Sequence, residues 1–82
     1  MRLKLYSDAI LTHDLPEHGL YAGDVGTVVE IHRVPDREEG YSVEFFDMTG
    51  QTVAVVNVPG SSLRGPTNAD RPTVRSMEPH VK

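Results

Sequence analysis

Apolar and polar residues alternate most clearly from Tyr41 to Phe46, where Tyr41, Val43 and Phe45 share one face. A period of two places successive side chains on opposite faces of a β-strand, so this segment is predicted to be a strand with one buried face. Other stretches rich in apolar and β-branched residues predict four more strands. The five predicted strands span 6–12, 25–34, 41–46, 52–58 and 63–64.

Glycine and proline residues predict the connections between these strands. The stretch 13–24 is expected to be a long loop, because one proline and two glycines interrupt any helix there. The segment 47–50, Asp-Met-Thr-Gly, predicts a type I turn with its glycine in the left-handed conformation. The segment 59–62, Pro-Gly-Ser-Ser, predicts a single 3₁₀-type turn before the last short strand.

The composition changes at Pro66. Residues 66–82 contain several prolines, no aromatic residue and only scattered apolar side chains. Such a segment buries too little apolar surface to offset the entropy lost on ordering. We therefore predict one domain over residues 1–65 and a flexible, disordered tail over 66–82.

Five short strands without a helix must curl to bury their apolar faces, which predicts an all-β fold, a small five-stranded SH3-like barrel. Its long connection is the loop between strands 1 and 2. Gly26 is expected where the coiled second strand passes close to another backbone. The predicted core consists of Ile10, Leu11, Leu20, Val29, Ile31, Val43, Phe45, Ala54, Val56 and Leu63.

Charge and cysteine content narrow the function. The chain has 82 residues, no cysteine and a net charge of −4, so disulfides and thiolate metal sites are excluded. Residues 1–65 carry ten acidic and five basic residues, whereas nucleic-acid binding requires a concentrated basic face. An acidic domain more readily meets a basic or neutral protein surface. The N-terminal segment resembles neither a signal peptide nor a membrane span.

Four segments of the chain form a distinctive set: "DLPEHGL", "AGDVGTVVE", "VEFFD" and the "AVV" of the fourth strand. Through them the chain resembles, over about residues 5–64, the small bacterial family known as domain of unknown function 4926. The resemblance implies an SH3-like fold and a bacterial, cytoplasmic protein, and it supplies no catalytic residues.

The glycine-rich loop leading into Gly26 and Val28 also resembles, more weakly, the KOW-type barrels of ribosomal and transcription-elongation proteins. That resemblance implies RNA or ribosome association through basic loops. Here the corresponding loop carries Asp14, Glu17 and Asp24 and no basic residue, which argues against RNA binding.

Several polar residues are of types that take part in catalytic or metal chemistry. Metal ligation needs three or four converging side chains, which the loop spacing does not ensure, so neither a metal site nor a cofactor is expected. Ser61 and Ser62 lack the sequence context of a nucleophile. His32 and Glu44 are predicted to form a cross-strand surface pair. The potential ligands in the loop are His13, Asp14, Glu17, His18 and Asp24.

Phe46, Val53 and Val55 are predicted to lie on the strand face opposite the core. Two explanations remain open for this apolar surface. It is covered within the chain by Leu3, Leu5 or Met77, or it binds a partner protein or a second copy of the chain.

The sequence thus predicts a non-enzymatic protein-binding module or accessory subunit. A KOW-like RNA- or ribosome-associated domain is the alternative. The expected partner is a protein, with a homodimer as one form, and neither nucleic acid nor a membrane is expected to bind. The candidate partner contacts are Asp14, Glu17, His18, Tyr21, Phe46, Val53 and Val55.

Overall fold

A computed structural model describes residues 2–77. The five strands are antiparallel and form one sheet in the order β4-β3-β2-β1-β5. A 3₁₀ helix, Pro16–His18, lies in the loop between β1 and β2, and a second, Gly60–Ser62, joins β4 to β5. The strands are β1 Asp8–Leu11, β2 Val25–His32, β3 Gly40–Phe46, β4 Thr52–Pro59 and β5 Leu63–Arg64.

The sheet curls into a half-barrel, which confirms the all-β, five-stranded SH3-like prediction. Within residues 2–77, no ladder joins β4 to β5, so β4 forms one edge of the sheet. The same part of the chain holds no helix of the length and hydrophobicity that a membrane crossing requires.

The concave face of the sheet holds the core. Tyr41, Val43 and Phe45 of β3 are almost completely buried, as the alternation predicts. Ile31 and Ala54 are partly buried and pack against the core. The other members of the core are Leu3, Ala9, Leu11, Leu20, Val28, Val56, Val58 and Leu63. Ile10, which the sequence also predicts for the core, is buried but lies outside this cluster, because it pairs with Val25 on the outer side of the sheet.

A bulge in β2 corrects the prediction for Val29. Val28 lies opposite Val43 and Glu30 lies opposite Ser42, so Val29 is the additional residue. Because a bulge shifts the alternation by one, Val28 is fully buried in the core and Val29 is not.

The predicted pair of His32 and Glu44 is also wrong. His32 Nε2 lies 2.7 Å from Ser42 Oγ, whereas the Glu44 carboxylate accepts a hydrogen bond from the Thr52 hydroxyl. The register places Glu44 opposite Thr27, several residues from His32. The two side chains therefore occupy different parts of the outer face.

Gly26 allows β2 to pass close to β3. A Cβ atom at this position would lie 2.6 Å from Val43 Cγ1 and 2.8 Å from the backbone oxygen of Glu44. Only glycine fits at such a distance without a movement of the strand. The close approach predicted from the sequence is confirmed.

The β1–β2 loop is held in place by its apolar residues. Leu20 is buried in the core, and Leu15 packs against the core and forms a backbone bridge with Leu20. Gly19 reverses the chain between them with φ of 69°. The loop is consequently a defined structure and not a loose connection.

Asp47 and Gly50 build the β3–β4 turn as the sequence predicts. The Gly50 N–H donates to Asp47 O at 3.0 Å, and Gly50 has φ of 89°. The Asp47 carboxylate accepts hydrogen bonds from the N–H groups of Thr49 and Gln51. This turn holds the end of β3 and the start of β4 together, where Phe46 and Val53 lie on the outer face of the sheet.

Residues 66–77 contain no helix or strand. They contact the domain through Asp70, which pairs with Arg64 at 2.8 Å, and through Arg75, which pairs with Asp24 of the β1–β2 loop. The predicted disorder of the tail and the boundary after residue 65 stay predictions. Residues 78–82 lie outside the described part of the chain.

Candidate functional site

The outer face of β3 and β4 carries the three apolar side chains that the sequence placed there. Phe46, Val53 and Val55 are 44%, 48% and 55% exposed. Phe46 lies opposite Thr52, and a bulge in β4 makes Val53 an additional residue beside them. We call the surface of Phe46, Val53 and Val55 the apolar face.

None of the three side chains considered as a cover closes the apolar face. Leu3 is only 9% exposed and belongs to the core. Leu5 is itself 46% exposed. Met77 lies beside the β1–β2 loop, where its methyl group would be 3.0 Å from a Cβ on Gly19. Within residues 2–77 the apolar face is therefore open to solvent.

Carboxylates border the apolar face. Asp8, Thr27, Glu44 and Val55 form one row across the outer side of four strands, since each residue pairs with the next. Asp47 stands in the turn that follows β3. The surface consequently combines an apolar centre with an acidic border.

The sequence did not indicate two further apolar residues on this side of the molecule. Val25 is 52% exposed and precedes Gly26, which pairs with Phe45, so Val25 lies beside Phe46. Met48, at the tip of the β3–β4 turn, is 86% exposed. The alternation around Gly26 was the signal that could have identified Val25.

Three of the predicted partner contacts in the loop, Asp14, Glu17 and His18, differ in whether their side chains already bind another group of the chain. The Asp14 carboxylate accepts a 2.9 Å hydrogen bond from the Ala22 N–H and so stabilises the loop. Glu17 and His18 belong to the 3₁₀ helix and are exposed. Of these three side chains, those of Glu17 and His18 make no hydrogen bond that stabilises the loop within residues 2–77.

Tyr21, the fourth predicted loop contact, carries Arg75 of the tail on one face of its ring and is 38% exposed. The guanidinium carbon of Arg75 lies 4.5 Å from the centre of the Tyr21 ring. Arg75 also pairs with the Asp24 carboxylate at 2.5 Å, which raises the pKa of the guanidinium. No pattern in the sequence indicates this contact, because 51 positions separate Arg75 from Asp24.

The structure does not gather the loop carboxylates and histidines into a metal site. His13 Nε2 lies 3.2 Å from Ser62 Oγ, whereas Asp14 and Asp24 bind other groups of the chain. Among residues 2–77, no three His, Asp or Glu side chains come together as potential ligands. Two serine hydroxyls in this part of the chain contact a histidine. Ser62 lies beside His13, and Ser42 Oγ lies 2.7 Å from His32 Nε2 and donates to Asn57 Oδ1.

A cleft of about 380 Å³ lies between the N-terminal segment and the start of β3. In its wall the Tyr41 hydroxyl donates a 2.6 Å hydrogen bond to Glu39, which lowers the pKa of the Glu39 carboxyl, and Arg33 and Arg2 act in the same direction. Burial raises the pKa of Tyr41. Leu3 N–H donates to the same hydroxyl at 3.3 Å. This network anchors the N-terminal segment to the sheet.

Three arginines line a shallow depression beside this cleft. Arg2, Arg33 and Arg37 surround it together with Val34 and Pro35. The Glu39 carboxylate pairs with Arg33 at 2.5 Å and with Arg2 at 3.6 Å. The single carboxylate of Glu39 therefore offsets one of the three positive charges in the depression.

Comparisons with known proteins gave one match. Neither the comparison with curated proteins nor that with solved structures found a similar chain. The family model described as Domain of unknown function (DUF4926) matches residues 5–65, which include all five strands and the β1–β2 loop. The chain belongs to this family.

Proposed function

We propose that this protein is a non-enzymatic protein-binding module, or an accessory subunit, that meets its partner through the apolar face. The carrying observation is that Phe46, Val53 and Val55 are about half exposed on a rigid sheet. Apolar side chains grouped in this way mark interaction surfaces when polar residues surround them. Glu17 and His18 are additional, polar candidates.

The charge around the apolar face indicates the kind of partner. Glu44, which lies opposite Val55, and Asp47, which follows Phe46, place negative charge at its border. Complementary surfaces steer encounter and disfavour wrong partners. The proposed partner therefore presents apolar side chains surrounded by Lys or Arg. In keeping with the family resemblance, we place this interaction in the bacterial cytoplasm.

The contact between His13 and Ser62 does not favour an enzyme. A serine nucleophile works with a base that a third group orients, and with donors for the developing oxyanion. Within residues 2–77, no hydrogen-bonded partner holds the other nitrogen of His13, and the cleft beside Tyr41 is lined by Ser61 and not Ser62.

An RNA-associated role is the second candidate, since Arg2, Arg33 and Arg37 do meet on one surface. The pairing of Glu39 with two of them opposes the approach of a phosphate backbone. Binding of a protein remains the better supported function.

The test compares two valines of nearly equal exposure. Val55, on the apolar face, is 55% exposed, and Val34, in the β2–β3 connection, is 53% exposed. The immobilised protein, Val55→Gln and Val34→Gln are each exposed to extract of the source cells, and captured proteins are quantified by mass spectrometry. We expect a partner whose capture falls at least about fivefold with Val55→Gln and is unchanged with Val34→Gln.

Sedimentation of the purified chain distinguishes a homodimer from a second protein. A dimer that Val55→Gln dissociates would identify the partner as another copy of the chain. The proposal would be overturned if the chain sediments as a monomer and if Val55→Gln lowers the capture of no protein from the extract.

A further inference from the structure

The β1–β2 loop binds the Arg75 side chain with three of its groups. Arg75 Nε and Nη2 bind the two oxygens of the Asp24 carboxylate at 3.1 and 2.5 Å. Nη2 also donates to the Gly19 carbonyl at 3.1 Å, and the guanidinium stacks on the Tyr21 ring. We call the Gly19 carbonyl, the Tyr21 ring and the Asp24 carboxylate the arginine cradle.

This combination selects arginine among the cationic side chains. A carboxylate accepts two parallel hydrogen bonds from the planar guanidinium, and an aromatic face attracts the same plane. A lysine ammonium cannot pair side-on with the carboxylate while stacking on Tyr21. The cradle therefore has a definite ligand chemistry.

Contacts that do not involve the tail hold the cradle in shape. The Asp24 carboxylate accepts a 2.9 Å hydrogen bond from Tyr21 N–H, and Asp24 N–H donates to Tyr21 O at 2.9 Å. Gly23 N–H donates to Leu11 O of β1, and Leu20 is buried beside them. The site is thus formed before an arginine arrives, which favours binding.

The tail, in contrast to the loop, is held by side-chain contacts at the surface of the domain. Residues 71–77 have no regular structure, and the Arg75 and Asp24 side chains of the ion pair are 40% and 22% exposed. Partly exposed ion pairs contribute only modestly to stability, so we expect the tail to exchange between a bound and a free state. The tail has one advantage over a separate ligand. It belongs to the same chain as the cradle, so its effective concentration at the cradle is in the millimolar range.

We infer that the arginine cradle is a recognition site for an arginine-bearing, extended segment of a partner protein, and that Arg75 occupies it as a competing ligand within the chain. Because the tail competes for the cradle, a partner segment must bind tightly enough, or be concentrated enough, to displace Arg75. This site is separate from the apolar face and does not depend on the function proposed for it.

The test uses the full ¹⁵N-labelled chain and the amide signals of the loop. Arg75→Gln empties the cradle, whereas Arg71→Gln is the control, because Arg71 hydrogen-bonds only the nearby carbonyls of Asn68 and Asp70. We expect Arg75→Gln, but not Arg71→Gln, to shift the signals of Gly19, Tyr21 and Asp24.

The probe is a synthetic, terminally blocked peptide with the sequence of residues 71–77, and a second peptide with glutamine at the position of Arg75. Added to the Arg75→Gln chain, the first peptide is expected to return the loop signals towards their native positions. The native chain should need roughly tenfold more peptide for the same occupancy, because its own tail competes. The chain carrying both Asp24→Asn and Arg75→Gln should not respond.

Three results would overturn the inference. They are equal binding of the glutamine peptide, equal affinity of the native and Arg75→Gln chains, and no response of the Arg75→Gln chain. Loop signals that change with the concentration of the native chain would assign the site to a second copy instead of a partner. Failure at the apolar face would leave all of these results unaffected.

Discussion

Phe45 and Phe46 are neighbours in β3 with opposite environments, and they separate core packing from surface exposure. Phe45 is 2% exposed and Phe46 is 44% exposed. We predict that Phe45→Ala lowers the free energy of unfolding by roughly 3–5 kcal/mol, enough to unfold a domain this small. Phe46→Ala should cost less than about 1 kcal/mol. Urea denaturation followed by circular dichroism measures both values, and comparable losses would contradict the assigned faces.

Gly26 and Gly40 provide a second matched pair. The nearest atom to a Cβ at Gly26 would be 2.6 Å away, whereas at Gly40 it would be 3.8 Å away, an ordinary contact. Gly26→Ala is predicted to destabilise the fold by about 1–3 kcal/mol through overpacking, and Gly40→Ala to be nearly neutral. Thermal melts of both variants give the comparison. A neutral Gly26→Ala would show that β2 and β3 can separate without cost.

The sequence determines most residue environments but not the position of a bulge. Alternation alone identifies the buried face of β3, because Tyr41, Val43 and Phe45 follow it without interruption. In β2 the additional residue Val29 breaks the alternation, and nothing in the run of β-branched residues marks where. The identity of Val28 as the buried residue therefore required the structure.

At the scale of elements, the β3–β4 turn depends on the ionised side chain of Asp47. The hydrogen bond from the Thr49 hydroxyl, with those from the Gln51 and Thr49 N–H groups, lowers the pKa of the Asp47 carboxyl. A carboxyl with a lowered pKa in the folded state stabilises the fold above its unfolded pKa, about 4 for Asp. That contribution disappears as the pH falls through the folded value.

We accordingly predict that Asp47→Asn is less stable than the native chain at neutral pH and that the difference shrinks as the pH falls below about 4. Melting temperatures measured from neutral to acidic pH test this. A gap that widens on acidification would contradict the assigned sign.

At the scale of the whole molecule, the distribution of charge decides between the two candidate functions. Residues 1–65 carry twice as many acidic as basic residues, and Glu39 pairs with two of the three clustered arginines. We predict no RNA or DNA binding tighter than about 10⁻⁴ M at physiological salt, the weak end of non-specific association. Fluorescence anisotropy with random RNA and duplex DNA at two salt concentrations measures it. Micromolar affinity at the higher salt would favour the RNA-associated role.

The candidate sites show the same division between what the sequence reveals and what it does not. The apolar face could be predicted because its residues follow from strand alternation in two adjacent strands. The arginine cradle could not, since it depends on where a segment without regular structure returns to the loop. Such a return is set by a few surface contacts, which leave no periodic pattern in the sequence.

The position of β4 at the edge of the sheet has a consequence for the storage and handling of the protein. Thr52–Pro59 contains no charged residue, and uncharged apolar edge strands are templates for fibril growth. We expect slow formation of thioflavin-binding fibrils under mildly denaturing conditions, and slower growth for Val55→Lys than for Val34→Lys. Equal growth rates would place the aggregating segment elsewhere. A surface that binds one specific partner is left uncovered when that partner is absent. It would then be the surface through which further copies of the chain add to a growing fibril.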